Sequence, residues 1–169
     1  MTTIATPLPE NCRVDPQPRH SVLKPYCLGH GTLECGSLAI SRKFYEEFLG
    51  LECVRHAKPA MAVRLGMRFH IVCVEVGNDI HPCSLLNHWG LDMASKDEVD
   101  QAHAKALEMK DQYGIRQVLD AQNMHGVYSF YLEDLDHNWW EIQYYENGFS
   151  HDDFFDFGDQ FEMTPEAAF

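Results

Sequence analysis

The segments HGTLE (residues 30–34) and HWGLD (residues 88–92) each open a stretch of chain in which the same order of predicted elements occurs. A helical pattern and then strand-like runs follow the first segment, and the same order follows the second. Both segments begin with histidine and have leucine in fourth place. Repetition of both element order and sequence indicates two structural modules of about 55 residues each.

The two predicted helices carry end signals. In the first, aromatic residues recur at helical spacing, Ser41 is the predicted N-cap and Gly50 the predicted terminator. The second begins with a predicted capping box of Ser95 and Glu98 and ends at Gly114.

The last predicted strand lies in DLDHNWWEIQYYENG (residues 134–148) and places the carboxylate of Glu141 among aromatic residues. Side chains of a strand alternate between its two faces. One face is apolar and suits packing under a helix; it consists of Trp140, Ile142 and Tyr144. The other face is mixed and suits a cavity; it consists of Trp139, Glu141, Gln143 and Tyr145. A carboxylate in such a strand needs a partner.

Composition bounds the class of protein. The 169 residues are 45% hydrophobic, which predicts a folded domain with a sizeable core. The net charge of −13 argues against nucleic acid and anionic membranes as partners. The start, MTTIATPLPENCRVDPQPRH, lacks the pattern of a secretory signal, and we expect a cytoplasmic location with the six scattered cysteines reduced.

A metal ion is one partner that would satisfy Glu141. His30 and His88 occupy matching positions in the repeat, which would direct both rings into one cleft. Two neutral imidazoles and a carboxylate form a facial triad that suits Fe(II) with open positions, although Mn, Ni or Zn can use the same donors. The alternative is that each histidine is an ordinary core or surface residue and that Glu141 is ion-paired.

Three stretches resemble the vicinal oxygen chelate superfamily, which includes glyoxalases, bleomycin- and fosfomycin-resistance proteins and extradiol dioxygenases. They are GHGTLECGSLAISRKFYEEFLGLE, NHWGLDMAS and YSFYLEDLDHNWWEI, within a resemblance that spans about residues 28–146. It implies an α+β fold of paired βαβββ modules that form a cup-shaped mixed sheet around a metal, with His30, His88 and Glu141 as ligands. In the last hairpin the family's Asp-Pro-x-Gly is replaced by the residues of 134–137, Asp-Leu-Asp-His.

The chain is therefore predicted to have three parts. An N-terminal arm (1–26) precedes the two-module domain (27–147, with module 1 at about 27–78 and module 2 at about 85–147), and an acidic, Phe-rich tail (148–169) follows. The arm and the tail would be natural dimer contacts, which favours a homodimer; mobile termini are the alternative.

The preferred function is that of a metal-dependent oxidoreductase of aromatic compound catabolism. As the resemblance implies, an extradiol-type dioxygenase would chelate the two adjacent hydroxyls of a catechol-like aromatic at Fe(II). His125 would act as acid and base, and Tyr131, ten residues before Glu141, would hydrogen-bond a substrate oxygen. The predicted pocket for the aromatic ring is lined by Trp139, Tyr145 and Trp89.

Two other functions stay open. A glyoxalase-like lyase or isomerase would bind Zn or Ni and use Glu75 as a fourth ligand, provided that the strand register turns Glu75 toward the metal. A metal-free small-molecule binding or resistance protein would have no need of the ligand set. For His125 the alternative is a surface loop residue, and for Tyr131 a strand tyrosine in the core or at the rim.

Overall fold

The computed structural model describes residues 22–23, 28–66, 69–124, 126–146 and 155. It divides the chain into two compact units, Met1–Pro82 and Cys83–Phe169. Each unit contains one mixed sheet with helical segments, so the predicted α+β fold of βαβββ modules is confirmed. Most of the predicted arm and tail, and His125, lie outside the described residues.

The first unit has four strands in the order β1-β4-β3-β2, with β1 parallel to β4 and the other neighbours antiparallel. Its elements are β1 (His30–Cys35), α1 (Leu38–Lys43), β2 (Glu52–Ala57), β3 (Ala60–Arg64) and β4 (His70–Glu75). A π-helical segment, Phe44–Phe48, continues α1. Gly50 then adopts a φ of +72°, and it ends the helix as predicted.

The prediction that Ser41 caps the first helix is wrong, because α1 begins after Ser37. Ser41 lies inside the helix, where its buried hydroxyl donates to the Ser37 carbonyl at 2.9 Å. The cap comes instead from the end of β4: Glu75 Oε2 accepts a hydrogen bond from the Leu38 amide at 2.8 Å. A carboxylate at this helix end satisfies a free N–H group, a role that a local serine would otherwise take.

The second unit has the strand order β5-β9-β8-β6, and β7 also pairs with β8. Its elements are β5 (His88–Asp92), α2 (Lys96–Glu108), α3 (Lys110–Tyr113), β6 (Gln117–Val118), β7 (Gln122–Met124), β8 (Val127–Glu133) and β9 (Trp139–Tyr145). Strand β5 runs parallel to β9, as β1 does to β4, so the two units repeat the same topology.

The predicted ends of the second helix are observed with one shift. Ser95 Oγ accepts from the Glu98 amide at 3.3 Å. The Glu98 carboxylate reaches back to the amide of Ala94 at 2.9 Å, one residue earlier than in a standard capping box. Gly114, with a φ of +69°, follows α3 in the left-handed conformation that terminates helices.

Each sheet buries one apolar face. In the second unit α2 packs on β8 and β9, over the buried side chains of Phe130, Leu132 and Trp140. In the first unit Phe44 and Tyr45 are fully buried, as are Cys35 and Cys73 on the strands. Of the cysteines in the described ranges, Cys35, Cys53, Cys73 and Cys83 are not in disulfide bonds. None of the helices that the described residues form is long and apolar enough to cross a bilayer.

A turn without glycine closes the β8–β9 hairpin. The buried Asp134 carboxylate accepts hydrogen bonds from the amides of Asp136 and Asn138 at 2.8 and 2.9 Å and from Trp140 Nε1 at 3.0 Å. His137 takes the left-handed position with a φ of +65°, and its Nδ1 lies 2.6 Å from Glu133 Oε1. These contacts hold the hairpin, and thereby β9, despite the unfavourable backbone conformation.

Candidate metal centre

One face of the second sheet is polar, and strand register identifies its members. His88 pairs with Trp139, Gly90 with Glu141, and Tyr131 with Glu141 from the other side. Residues that pair directly lie on the same face of a sheet. The polar face comprises His88, Gly90, Asp92, Ser129, Tyr131, Glu133, Trp139, Glu141, Gln143 and Tyr145. The alternation predicted for β9 is observed in this register.

His88 and Glu141 meet on the polar face in an arrangement that a shared proton or a bound metal ion would satisfy. The Nδ1 atom of His88 lies 2.7 Å from the carbonyl oxygen of Leu85, and since a carbonyl can only accept, Nδ1 carries a proton. In the neutral ring Nε2 then presents a lone pair. This Nε2 lies 3.1 Å from Glu141 Oε2, so two acceptors face each other. A second proton on the ring or a bound metal ion would reconcile them.

The donor set fits a divalent metal ion. Two ligands at right angles, each about 2.1 Å from a metal, are about 3.0 Å apart, close to the observed separation of Nε2 and Oε2. Metal-binding histidines usually donate their other N–H to a carbonyl or a carboxylate, as His88 does to Leu85. An imidazolium–carboxylate ion pair would satisfy the same 3.1 Å distance with a proton in place of the metal.

The second oxygen of Glu141 is held from β8. Ser129 Oγ donates to Glu141 Oε1 at 2.7 Å, and Ser129 is only 1% exposed. The carboxylate therefore has one oxygen fixed by a buried hydroxyl while the other faces His88. Ser129 is absent from the sequence prediction, although it lies two residues before Tyr131 and so must share its face.

Tyr131 lies beside both of these residues. Its ring centroid is 5.1 Å from that of His88, in an edge-to-face arrangement. Burial, together with the hydrogen bond to Glu141 and the charge of Glu141, raises the pKa of Tyr131 to about 12. The phenol is thus protonated at neutral pH, and its hydroxyl is hydrogen-bonded to Glu141.

Asp92, Gln143 and Tyr145 form the other end of the polar face. Gln143 is buried, and its Nε2 donates to Asp92 Oδ1 at 2.8 Å. Burial and the charges of Asp92 and Glu141 raise the pKa of Tyr145 to about 12. On this face, β5 has only Gly90 between His88 and Asp92, and an added Cβ there would lie 3.1 Å from Gln143 Nε2. The Gln143 amide therefore lies over Gly90, which stands opposite Glu141.

The structure separates the three aromatic residues predicted to line a pocket. Trp139 and Tyr145 lie on the polar face. Trp89 does not, because it pairs with Trp140 on the opposite face, so its predicted role in lining the pocket is wrong. The physical reason is local: Trp89 is adjacent to His88 in one strand, and adjacent side chains point to opposite faces.

The first unit places a second histidine beside His30. His30 pairs with His70 across β1 and β4, and their rings stack with centroids 5.7 Å apart. His70 was missed by the sequence reading. The contact between His70 and His30 depends on the register between β1 and β4, which are forty positions apart in the sequence. No local sequence pattern specifies that register.

Glu75, the predicted alternative ligand, lies on the other face of β4. It pairs with Cys35, whereas the face that carries His30 is continued on β4 by His70, Val72 and Val74. Its carboxylate is bound to the start of α1 through the Leu38 amide. Within the first unit, Glu75 and His30 therefore point away from each other.

His30 and His88 occupy equivalent places in the two units. Each is the first residue of the edge strand that runs parallel to the last strand of its unit. Within the described part of either unit, three or more His, Cys, Asp or Glu side chains do not gather around one point. His88 and Glu141 on the second sheet are thus two donors that one metal ion could share, and His30 holds the position equivalent to His88 in the first unit.

The fold is that of the glyoxalase, bleomycin-resistance and dioxygenase proteins, as the resemblance to the vicinal oxygen chelate superfamily predicted. The chain is 22% identical to a possible glyoxalase from Bacillus cereus, with a TM-score of 0.54, over 68% of this chain and 96% of that one. A lactoylglutathione lyase from Agrobacterium tumefaciens matches with 18% identity and a TM-score of 0.54, over 71% and 94%.

A glyoxalase/bleomycin resistance protein/dioxygenase from Nocardioides matches with 15% identity and a TM-score of 0.56, over 78% of this chain and 91% of that chain. No protein-family model matches the sequence, and no curated protein matches it either. At these identities the similarity establishes the fold, while the reaction has to be argued from the residues of the site.

Proposed function

We propose that the protein is an Fe(II)-dependent dioxygenase of the extradiol type, which cleaves a catechol-like aromatic ring. The observation that carries the proposal is the pair of facing acceptors, His88 Nε2 and Glu141 Oε2, 3.1 Å apart on a face that bears Tyr131 and aromatic neighbours. His30, at the equivalent position of the first unit, would be the third ligand. Three protein ligands leave coordination positions open for substrate and oxygen.

Bound iron would supply chelation of two adjacent hydroxyl oxygens and activation of O2. The chain's own residues would orient the ring and move protons. Tyr131, protonated because its pKa is raised, would donate a hydrogen bond to a substrate oxygen. In the overall reaction the ring bond beside one hydroxyl breaks, and both oxygen atoms of O2 enter the product, so no external reductant is needed.

The proton that leaves the catechol needs an acceptor, and two histidines are candidates. His125 was predicted from the sequence and lies outside the described residues. His70 stands directly beside the proposed ligand His30 on the same face of its sheet, and the two rings stack with centroids 5.7 Å apart. Single substitutions His70→Asn and His125→Asn distinguish them: loss of ring cleavage with retained iron identifies the acid–base residue.

Trp139 and Tyr145 stand at opposite ends of β9, and a substrate ring beside Glu141 would lie against Trp139, the nearer of the two along the strand. Trp139 is 8% exposed, and Tyr145 is half-buried two residues beyond Gln143. Flat aromatic side chains beside a metal suit an aromatic substrate better than a flexible one.

The test begins with metal analysis of protein purified without chelators, followed by oxygen uptake with catechol on the iron-loaded protein. We expect bound iron, oxygen consumption and a new absorption band of the ring-opened product. His88→Ala and Glu141→Ala should lose both metal and activity, whereas His56→Ala and Glu47→Gln, at exposed positions, should keep them. Zinc or nickel as the bound metal, with no oxygen uptake for any catechol, would refute the proposal.

The second candidate is a glyoxalase-like lyase or isomerase with Zn or Ni. The lactoylglutathione lyase among the structural relatives favours it, whereas the orientation of Glu75 does not. If Glu75→Gln lowers the metal content, this function replaces the first. A metal-free binding protein is the third, and a failure to bind metal under any loading condition would select it.

The assignments of a homodimer and of a cytoplasmic location rest on the sequence alone. Light scattering of the purified protein decides the first, and fractionation of cells that express the full chain decides the second.

A further inference from the structure

A cleft of about 590 Å³ in the second unit lies at the turn of the β8–β9 hairpin, beside the turn between α3 and β6, and the proposed function does not use it. Five ionisable side chains are on its lining. Two are cations, Lys110 and Arg116, two are carboxylates, Asp111 and Glu133, and the fifth is the imidazole of His137. Such a concentration of charge at one cleft makes it a candidate binding site.

The most deeply buried of these groups is a carboxylate with one oxygen bound and the other unbound. The Glu133 side chain is only 10% exposed, and His137 Nδ1 donates to its Oε1 at 2.6 Å, because a carboxylate can only accept. Arg116 Nε lies 3.9 Å from the same oxygen. Glu133 Oε2 has no hydrogen-bond donor among the described residues. An oxygen withdrawn from water in this way favours a ligand that donates a hydrogen bond.

The cations of the cleft, by contrast, have donors without acceptors. Lys110 forms no ion pair with any residue that the structure describes. Arg116 makes only the long contact with Glu133 and is 47% exposed, so its remaining N–H groups are open to a ligand. Asp111 is exposed, and water therefore screens its charge. A ligand that suits the cleft accepts several hydrogen bonds from cations and donates one to a carboxylate.

We propose that this cleft binds hydrogen phosphate. Lys110 and Arg116 bind its unprotonated oxygens, its hydroxyl donates to Glu133 Oε2, and His137 holds the carboxylate by the other oxygen. Free phosphate is still protonated at pH 7.5, whereas sulfate has no proton to donate and a phosphate monoester loses its second proton near pH 6. Glu133 thereby selects free phosphate over both, and the proposal does not depend on the metal or on the reaction.

The selectivity should be large and the contribution of each cation small. Sulfate or a monoester dianion would place an unprotonated oxygen against the buried carboxylate, and a lost hydrogen bond to a charged group corresponds to about 10- to 100-fold in affinity. The two cations are accessible to water, so each should contribute about fivefold.

The test is a titration of the full chain at pH 7.5 with inorganic phosphate, sulfate and ethyl phosphate, followed by the amide ¹H–¹⁵N shifts. The amides of Gly114 and Arg116 report on the cleft, and those of β5 report on anions that bind near His88 instead. Phosphate should shift the cleft amides at a concentration at least about tenfold lower than either of the other anions does.

Two variants assign the selectivity to its residues. Glu133→Gln offers an N–H to the ligand, so phosphate and sulfate should bind within about twofold of each other. Lys110→Gln should weaken phosphate binding about fivefold, whereas the control Lys105→Gln, at an exposed position paired with Glu108 at 2.6 Å, should leave it unchanged. Thermal unfolding shows that each variant is folded.

Three results would overturn the proposal. They are the absence of phosphate-dependent shifts at Gly114 and Arg116, equal affinity of the wild type for phosphate and sulfate or ethyl phosphate, and an undiminished preference for phosphate in a folded Glu133→Gln. If Glu133→Gln does not fold, the comparison of the three anions on the wild type, together with Lys110→Gln and its control, still decides.

Discussion

Replacement of Ser129 by alanine should weaken metal binding while leaving the fold intact. The serine hydroxyl donates to Glu141 Oε1 at 2.7 Å, and at 1% exposure no water can take its place. A hydrogen bond to a charged acceptor contributes about 1.5–3 kcal/mol, and each 1.36 kcal/mol corresponds to a factor of ten. We therefore expect the metal dissociation constant to rise by roughly 10- to 100-fold, as is typical when a residue that orients a metal ligand is removed.

The assay is competition between the protein and a chromophoric chelator for Zn(II) or Fe(II), at a pH where the chelator's affinity is known. It measures metal affinity directly and does not depend on any catalytic activity. Ser129→Thr retains a hydroxyl on the same carbon and should restore much of the affinity, which separates the hydrogen bond from the effect of a mutation at a buried site.

Ser95→Ala is the matched control, because it also removes a serine hydroxyl from the second unit. It deletes the N-cap of α2 and should lower the free energy of unfolding by about 1 kcal/mol without changing metal affinity. If Ser129→Ala binds metal as tightly as the wild type, Glu141 Oε1 is not oriented by Ser129 and the reasoning fails.

Three further substitutions test the β8–β9 hairpin and the glycine of β5, Gly90. Burial raises the pKa of Asp134 to about 6, above the pKa of an aspartate in the unfolded chain. The stabilisation that comes from binding this proton is therefore complete below about pH 4. It decreases by at most about 3 kcal/mol as the pH rises through 6. Asp134→Asn should lack this component in urea unfolding across that pH range, and an unchanged pH dependence would contradict the assignment. His137→Ala should be less stable than His137→Gly by about 1 kcal/mol in thermal unfolding. Both variants lose the contact with Glu133, but only alanine is strained at a φ of +65°. Equal stabilities of the two variants would exclude backbone strain at this position. Gly90→Ala should raise the KM for catechol several-fold with little loss of stability, because its Cβ narrows the space beside Gln143, and an unchanged KM would show that the substrate does not pass there.

Local patterns were sufficient to predict the strand that carries Glu141. The alternation of apolar and mixed residues in β9 needs only neighbouring positions, and the observed register agrees with it. The same rule would have removed Trp89 from the predicted pocket, since it is adjacent to His88 and must face the other way. The position of Trp89 is thus specified by its own strand and needs no contact from elsewhere in the chain.

Contacts across the sheet could not be predicted. The pairing of His30 with His70 and the hydrogen bond from Ser129 to Glu141 both depend on the register between separate strands, which hydrophobic patterns leave open by two residues in either direction. The repeat identified His30 and His88 as equivalent residues, but it contained no information about the side chains beside them.

One contact in the first unit explains why the predicted cap at Ser41 is wrong and also bears on the alternative in which Glu75 binds a metal. Ser41 was assigned to the start of the helix and Glu75 was left open as a metal ligand, yet the helix begins at Leu38, where the Glu75 carboxylate accepts its amide at 2.8 Å. The equivalent of Glu75 in the second unit, counted from the first residue of the last strand, is Tyr144, which lies on the helix-facing side there too. Glu75 therefore stabilises the start of a helix, and it does so from the face of its sheet opposite to the one that carries His30.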